Sequence, residues 1–259
     1  MNISLYQVDA FTDRVFGGNP AAVCPLESWL ETGLMQDIAK ENNLSETAFY
    51  VPKNGDFEIR WFTPRIEIDL AGHPTLATAH VIFNHTPYDR ETITFHSKSG
   101  PLTVRREKDM MVMNFPSRPP EPAGAPELLL EGLEVEPLEV LKSRDYLVLY
   151  RSEKEVRSIR PKFDKLAEVD ALGIIITSEG DHSDFVSRFF APQAGINEDP
   201  VTGSAHATLI PFWAKRLNKN SLHAFQVSER QGELFCGYQG DRVSIGGRAV
   251  TFLRGTIEI

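Results

Sequence analysis

Two of the 259 residues are cysteine, Cys24 and Cys236, and they lie too far apart in sequence to form a CxxC pair. A disulfide framework is excluded, and so sparse a thiol content suits a reducing compartment, so the expected location is cytoplasmic. Positive charge is scarce too: 27 Lys and Arg stand against 36 Asp and Glu, a net charge of −9. Nucleic acids and anionic membranes recruit clustered Lys and Arg, so neither is an expected partner. No apolar run reaches the roughly 18 residues that a membrane helix requires. The opening "MNISLYQVDAF" alternates like a strand and lacks a charged lead into an apolar core, so it reads as part of the fold rather than as a signal peptide. G-x-S-x-G, G-x-G-x-x-G and Walker patterns are absent, and with them three common routes to nucleophilic, dinucleotide and nucleotide chemistry. His73 and His80 are seven apart, no HExxH or Cys/His cluster occurs, and no metal site is expected.

What the chain does contain is an ordinary globular composition, 41% hydrophobic and 24% charged, enough to bury real cores in one large or two medium domains. It also repeats itself. "DFEIRWFTP" at Asp56–Pro64 returns as "DFVSRFFAP" at Asp184–Pro192, 128 positions later. The correspondence extends in both directions. Leu44 meets Leu172, Ala39 meets Ala167 and Met35 meets Phe163; further on, "AGHPTLATAHVIF" matches "TGSAHATLIPFWA" and "SGPLTVRREKDMMVM" matches "QGELFCGYQGDRVSI". An ordered series at a nearly constant offset argues for two copies of one module, too long to be a solenoid unit.

Between the copies lies "PSRPPEPAGAP" (Pro116–Pro126), where proline removes amide donors and disfavours helix. The expected division is therefore a domain over residues 1–116, a linker over 117–126 and a second domain over 127–248. The last stretch, 249–259, has no repeat partner and is expected to return as a strand to the first domain, beside the N-terminal strand. Each half reads as an amphipathic helix (Met35, Ile38, Ala39; Phe163, Leu166, Ala167), two strands, a glycine turn opening a second helix, and three more strands. The runs "TLATAHVIF" and "ATLIPFWA" are apolar nearly all round, so each second helix is expected at the centre of its half with a sheet wrapped around it.

Candidate chemistry gathers where the strands enter those central helices. Gly72–His73 in one half and Thr202–Gly203–Ser204 in the other open helices whose first amides can hold an anion; plain helix capping is the competing reading for either alone. Glu46 corresponds by the repeat to Ile174, inside the apolar strand "GIIIT". A carboxylate at a site whose twin is isoleucine is expected to be partly desolvated, which favours acid–base work; the alternative is a strand-end Glu in water. His73, Asp199 and Asn19 complete the polar set near the turns, each with an ordinary cap, surface or turn reading beside the functional one.

The segments "DAFTDRVFGGNPAAV", "LSETAF", "EIDLAGHPTLATAHVI" and "NEDPVTGSAHATLIPFW", in this order, resemble the phenazine-biosynthesis (PhzF-like) family from Met1 to the C terminus. The resemblance implies the diaminopimelate-epimerase fold: α/β (α+β), two pseudo-symmetric domains, each a curled, mostly antiparallel sheet wrapped around a central helix, with the active site between them. It implies Glu46 as proton shuttle, with His73 and Asp199 holding the substrate and assisting. Ser204, with Asn19, Gly72, Thr202 and Gly203 and their amides, would bind a small carboxylate-bearing substrate. In the related epimerases cysteines open both helices; Ala71 and Thr202 stand there in this chain, which disfavours two-thiol racemisation. The resemblance further implies a homodimer and an isomerase that needs no cofactor, shifting a double bond with Glu46 as its single acid/base. The alternatives are an epimerase or a non-catalytic binding member of the family.

Overall fold

A computed structural model describes all residues, Met1–Ile259. The chain divides into two compact units, one of residues 1–114 with 246–259, the other of residues 115–245.

The first unit contains β1 (Asn2–Ala10), β2 (Asn19–Pro25), α1 (Thr32–Asn42), β3 (Glu46–Lys53), β4 (Asp56–Phe62), the short β5 (Glu67–Ile68), α2 (His73–His85), β6 (Thr92–Ser97), β7 (Gly100–Glu107) and β8 (Met110–Pro116). The second contains β9 (Glu121–Pro122), α3 (Glu127–Leu133), β10 (Glu139–Lys142), β11 (Tyr146–Leu149), α4 (Glu153–Ser158), α5 (Phe163–Leu166), β12 (Ile174–Ser178), β13 (Phe185–Ala191), β14 (Ile196–Asp199), α6 (Gly203–Leu217), β15 (Ser221–Gln226), β16 (Gly232–Gln239) and β17 (Arg242–Gly247). The final strand, β18 (Ala249–Glu258), pairs antiparallel with the whole of β1 and belongs to the first unit.

Strand pairing follows one order in both units. β2 and β3 are parallel, β3 and β4 antiparallel, β4 and β6 parallel, β6 and β7 antiparallel. In the second unit β11 and β12 are parallel, β12 and β13 antiparallel, β13 and β15 parallel, β15 and β16 antiparallel. Each curled sheet encloses one long helix. On α2 only His80, Asn84 and His85 escape burial, because its sequence offers no polar face. α6 is similarly enclosed from Ala205 to Pro211.

The outer faces are covered differently. In the first unit α1 lays Met35, Ile38 and Ala39 against Cys24, Phe49, Val51 and Phe62, and each large apolar side chain so buried contributes about 1.5–3 kcal/mol. The matching helix expected around Phe163, Leu166 and Ala167 is a single turn, α5, and α3 and α4 share its work with Leu129, Leu133 and Val156. It packs closely on α3. The Lys162 N–H donates to Gly132 O at 2.8 Å, and a Cβ on Gly132 would stand 2.3 Å from Leu166 Cδ2. Glycine there lets α5 dock on α3.

Candidate active site

In the first unit, two parallel strands and one helix converge their starts. Residue 21 of β2 is in register with Glu46, the first residue of β3, so Asn19, two residues earlier on β2, stands beside it. The preceding loop is held in place from within. Asp9, 2% exposed, accepts the Phe16 N–H at 2.9 Å. Gly18 turns the chain at φ +59°, where a Cβ would meet Ala10 O at 2.0 Å. His73 arrives from the other side as the first residue of α2, after Gly72, with Pro74 in the first turn, where its missing N–H costs nothing.

These elements bring three polar side chains into contact. Asn19 Nδ2 lies 3.1 Å from His73 Nδ1, and His73 Nε2 lies 3.0 Å from Glu46 Oε2. The Ser45 hydroxyl donates to Asn19 Oδ1 at 3.5 Å. Asn19 and His73 are buried, and the Glu46 side chain is 12% exposed. An amide N–H donating to Nδ1 leaves the imidazole proton on Nε2, the nitrogen that lies 3.0 Å from Glu46 Oε2 without hydrogen-bond alignment to it. Asn19 thus meets His73 itself, and no side chain caps the first turn of α2.

The second unit builds a different constellation at the corresponding place. Asp199 ends β14, and Thr202 is the residue before α6. The Thr202 hydroxyl donates to Asp199 Oδ2 at 2.5 Å. Gln226, fully buried at the end of β15, ties both together: its Oε1 accepts the Thr202 N–H at 2.8 Å, and its Nε2 donates to Asp199 O at 2.7 Å and to Thr202 Oγ1 at 3.2 Å. Gly203 and Ser204 form the first turn of α6, and Ser204 Oγ accepts from Arg144 Nη2 at 3.2 Å. Gln226 and Arg144 were not among the residues singled out from the sequence. Gln226 left a trace there, a polar residue continuing the inward positions Leu222 and Ala224 of an alternating strand; Arg144 left none.

Neither thiol sits at a helix start. Cys24 is buried in β2 and Cys236 in β16; burial pushes the Cys24 thiol up to about 12 and the Cys236 thiol up as well. No three His, Cys, Asp or Glu side chains converge as ligands for a metal ion, and no helix is long and apolar enough to cross a membrane.

A curled α+β architecture in which each unit's sheet encloses one central helix is an epimerase-like fold. A hydroxyproline epimerase from Agrobacterium vitis has this fold, with a TM-score of 0.64 over 99% of this chain and 92% of its own at 9% identity. The family follows from nearer relatives. The model of the phenazine biosynthesis-like proteins matches residues 8–255, and the chain belongs to that family, the PhzF isomerases. A PhzF-family crystal structure from Enterococcus faecalis superposes with a TM-score of 0.98 at 47% identity over 100% of both chains. A Pseudomonas aeruginosa protein named an uncharacterized isomerase is 48% identical over 259 residues, 100% of each chain.

Proposed function

We propose that the protein is an isomerase that moves a proton, and with it a double bond, on a small carboxylate-bearing metabolite, with Glu46 as the single acid and base. The observation that carries this reading is the contact of Glu46 Oε2 with His73 Nε2 at 3.0 Å, in a setting where the carboxylate is mostly shielded from water. As carboxylate, Glu46 takes a proton from a carbon made acidic by a neighbouring carboxyl or enol group. The C–H electron pair moves into the adjoining π system and the double bond shifts. Neutral Glu46 then returns the proton to another carbon on the same face, and the enzyme ends as it began. Through its Nε2–H, His73 stabilises negative charge beside it, on Glu46 before transfer and on the delocalised substrate anion after it. Asp199, Thr202, Gly203 and Ser204, with Gly72 in the first unit, are assigned to holding the substrate. These steps draw only on the chain's own groups. Thiol chemistry of the two-base kind finds no support, since both cysteines are buried away from the helix starts and pushed toward the neutral form.

The test is a metabolite screen in D₂O followed by NMR, wild type against Glu46→Gln. The expected result is deuterium uptake with double-bond migration in the wild type, slower by about 10²- to 10⁴-fold in the variant. Exchange at a retained stereocentre would make the protein an epimerase. Ligands bound equally by both proteins, without exchange in either, would make it a binding protein and sink the proposal.

A further inference from the structure

The two units meet one structural need in different ways, and the difference singles out Gln226. In the first unit the residue before the glycine that opens α2 is Ala71, whose carbonyl accepts the Thr75 hydroxyl at 2.6 Å. In the second, Thr202 directly precedes the glycine of α6, and its carbonyl accepts from His206 Nδ1 at 2.8 Å, again four residues on. Closing off that carbonyl is a task of the fold, and either side chain performs it. Gln226 has no such counterpart. Phe57 of β4 pairs in parallel with Phe95 of β6, and Phe185 of β13 with Ala224 of β15. Two residues beyond those partners stand Ser97 in one unit and Gln226 in the other. The Ser97 hydroxyl merely closes its own turn, donating to Gly100 O at 2.8 Å.

The Gln226 amide can sit only one way round. Its Oε1 accepts the Thr202 N–H at 2.8 Å, a group that only donates, and its Nε2 donates at 2.7 Å to Asp199 O, a group that only accepts. The Nε2 side is therefore the one that faces Thr202 Oγ1, at 3.2 Å. That hydroxyl receives the amide hydrogen and passes its own single proton to Asp199 Oδ2 at 2.5 Å. The chain runs in one direction, from amide to hydroxyl to carboxylate. A proton on Asp199 Oδ2 would oppose it. Thr202 Oγ1 would then face donors from both sides, and its hydrogen would need another acceptor where Thr202 is 7% exposed and Gln226 wholly buried. Hydrogen bonds donated into a carboxylate favour its charged form, and donors in series reinforce one another.

We propose that Gln226 is a positioning residue that acts through Thr202 to hold Asp199 as a carboxylate. This rests on the assignment of Asp199 and Thr202 to substrate holding made above, and it adds a division of labour. Asp199 presents a fixed negative charge and carries no protons, which leaves proton transfer to Glu46.

The experiment is carbon-13 NMR of the full chain labelled at its aspartate carboxyl carbons, over about pH 8 to 4.5, with the Asp199 signal identified from Asp199→Asn. Asp199 is expected to stay ionised throughout in the wild type and in Thr202→Ser, which keeps the hydroxyl. Thr202→Val removes the donor at nearly constant shape, so that burial acts unopposed by it and the Asp199 midpoint rises by about one pH unit or more. Gln226→Met, which neither donates nor accepts, should raise the midpoint by less. The double variant should rise no further than Thr202→Val, as action through Thr202 requires. Urea midpoints of the same proteins separate this from a merely structural role, which would lower stability and leave the Asp199 titration where it was. Proton NMR of the wild type supplies a reading that needs no Gln226 variant to fold: the Thr202 hydroxyl proton should appear as a slowly exchanging signal close to the Gln226 amide hydrogens. Asp199 titrating alike in all the variants, a Gln226→Met shift that adds in full to that of Thr202→Val, or a Thr202 hydroxyl in fast exchange would each overturn the proposal. Glu46-dependent exchange in the metabolite screen with an unmoved Asp199 would remove only the role of Gln226. The converse would remove only the proton-transfer reading.

Discussion

Asn19 decides which nitrogen of His73 carries the proton. Its amide, 3.1 Å from Nδ1, makes that nitrogen an acceptor and leaves the N–H on Nε2, the nitrogen nearer Glu46. Long-range ¹⁵N–¹H NMR should therefore find His73 as the Nε2–H tautomer in the wild type and a mixture of tautomers in Asn19→Leu; an unchanged pattern would refute the assignment. At this scale the sequence was partly readable. Glu46 stood out because its repeat twin is Ile174, and Glu46 and Ile174 do open β3 and β12, each a strand in the core of its unit. Asn19 was legible as a member of the polar set near the glycine turns, but its contact with His73, 54 residues away, was not, because spacing along a chain says which loop a residue occupies and not which side chain it meets. Gln226 and Arg144 went unseen for a related reason. Their partners, Thr202 and Asp199 for one and Ser204 for the other, lie 24, 27 and 60 residues away, beyond any local pattern.

The repeated nonapeptide has its physical content at the scale of elements. Its arginine makes the same forked ion pair in both units: Arg60 with Glu67, through Nε and Nη2 at 2.8 Å, and Arg188 with Glu198, at 2.8 and 2.9 Å. Each pair braces a long strand against the short one that follows it. Their costs should differ. Arg60 is 19% exposed, lies over Trp29 and Phe62, and otherwise donates only to Thr32 Oγ1. Arg188 is 9% exposed and also satisfies the carbonyls of Val156 and Ile159 at the end of α4. Arg188→Met would strand a carboxylate and the Val156 carbonyl and leave Ile159 O only the Arg160 guanidinium at 3.3 Å, a loss of roughly 3–5 kcal/mol, against about 1 kcal/mol for Arg60→Met. Urea denaturation of the two variants checks this; equal losses would mean that burial does not set the price of the pair. Strands and central helices were legible because their apolar periods are long and unbroken. The helix expected at Phe163 was legible only in place and not in length: it is a single turn whose Leu166 packs on Gly132, 31 residues before Phe163 and in another helix, a contact no local pattern shows.

At the scale of the whole molecule, two effects of acid oppose one another. The net charge of −9 at pH 7 falls toward zero near pH 5.3, which relieves repulsion among surface charges and favours the folded chain, weakly where salt screens them. Buried histidines act the other way. His206 lies wholly inside α6's surroundings, donating from Nδ1 to Thr202 O at 2.8 Å, with Nε2 buried and unpartnered; burial holds its pKa down to about 4, from 6.5. His80 is also held at about 4, by burial first and then by His85 and Arg106. A folded pKa below the unfolded one means that the unfolded chain binds more protons between the two values. Stability is therefore complete above pH 6.5, falls as pH drops toward 4, and loses nothing more from these groups below that. Each shift amounts to about 3 kcal/mol, larger than the screened surface term, so the histidines should prevail. Below them Glu67, held near 2 by hydrogen bonds from Arg60 and then Lys98 against the opposing effect of burial, adds a further loss from pH 4.5 downward. Urea midpoints at pH 7.5, 5.5 and 4.5 should decline for the wild type and decline less steeply for His206→Asn and for His80→Asn, whose amides do not titrate. Parallel declines in all three proteins would show that the acid sensitivity lies elsewhere, and a midpoint that rises toward pH 5.3 would show that surface charge prevails.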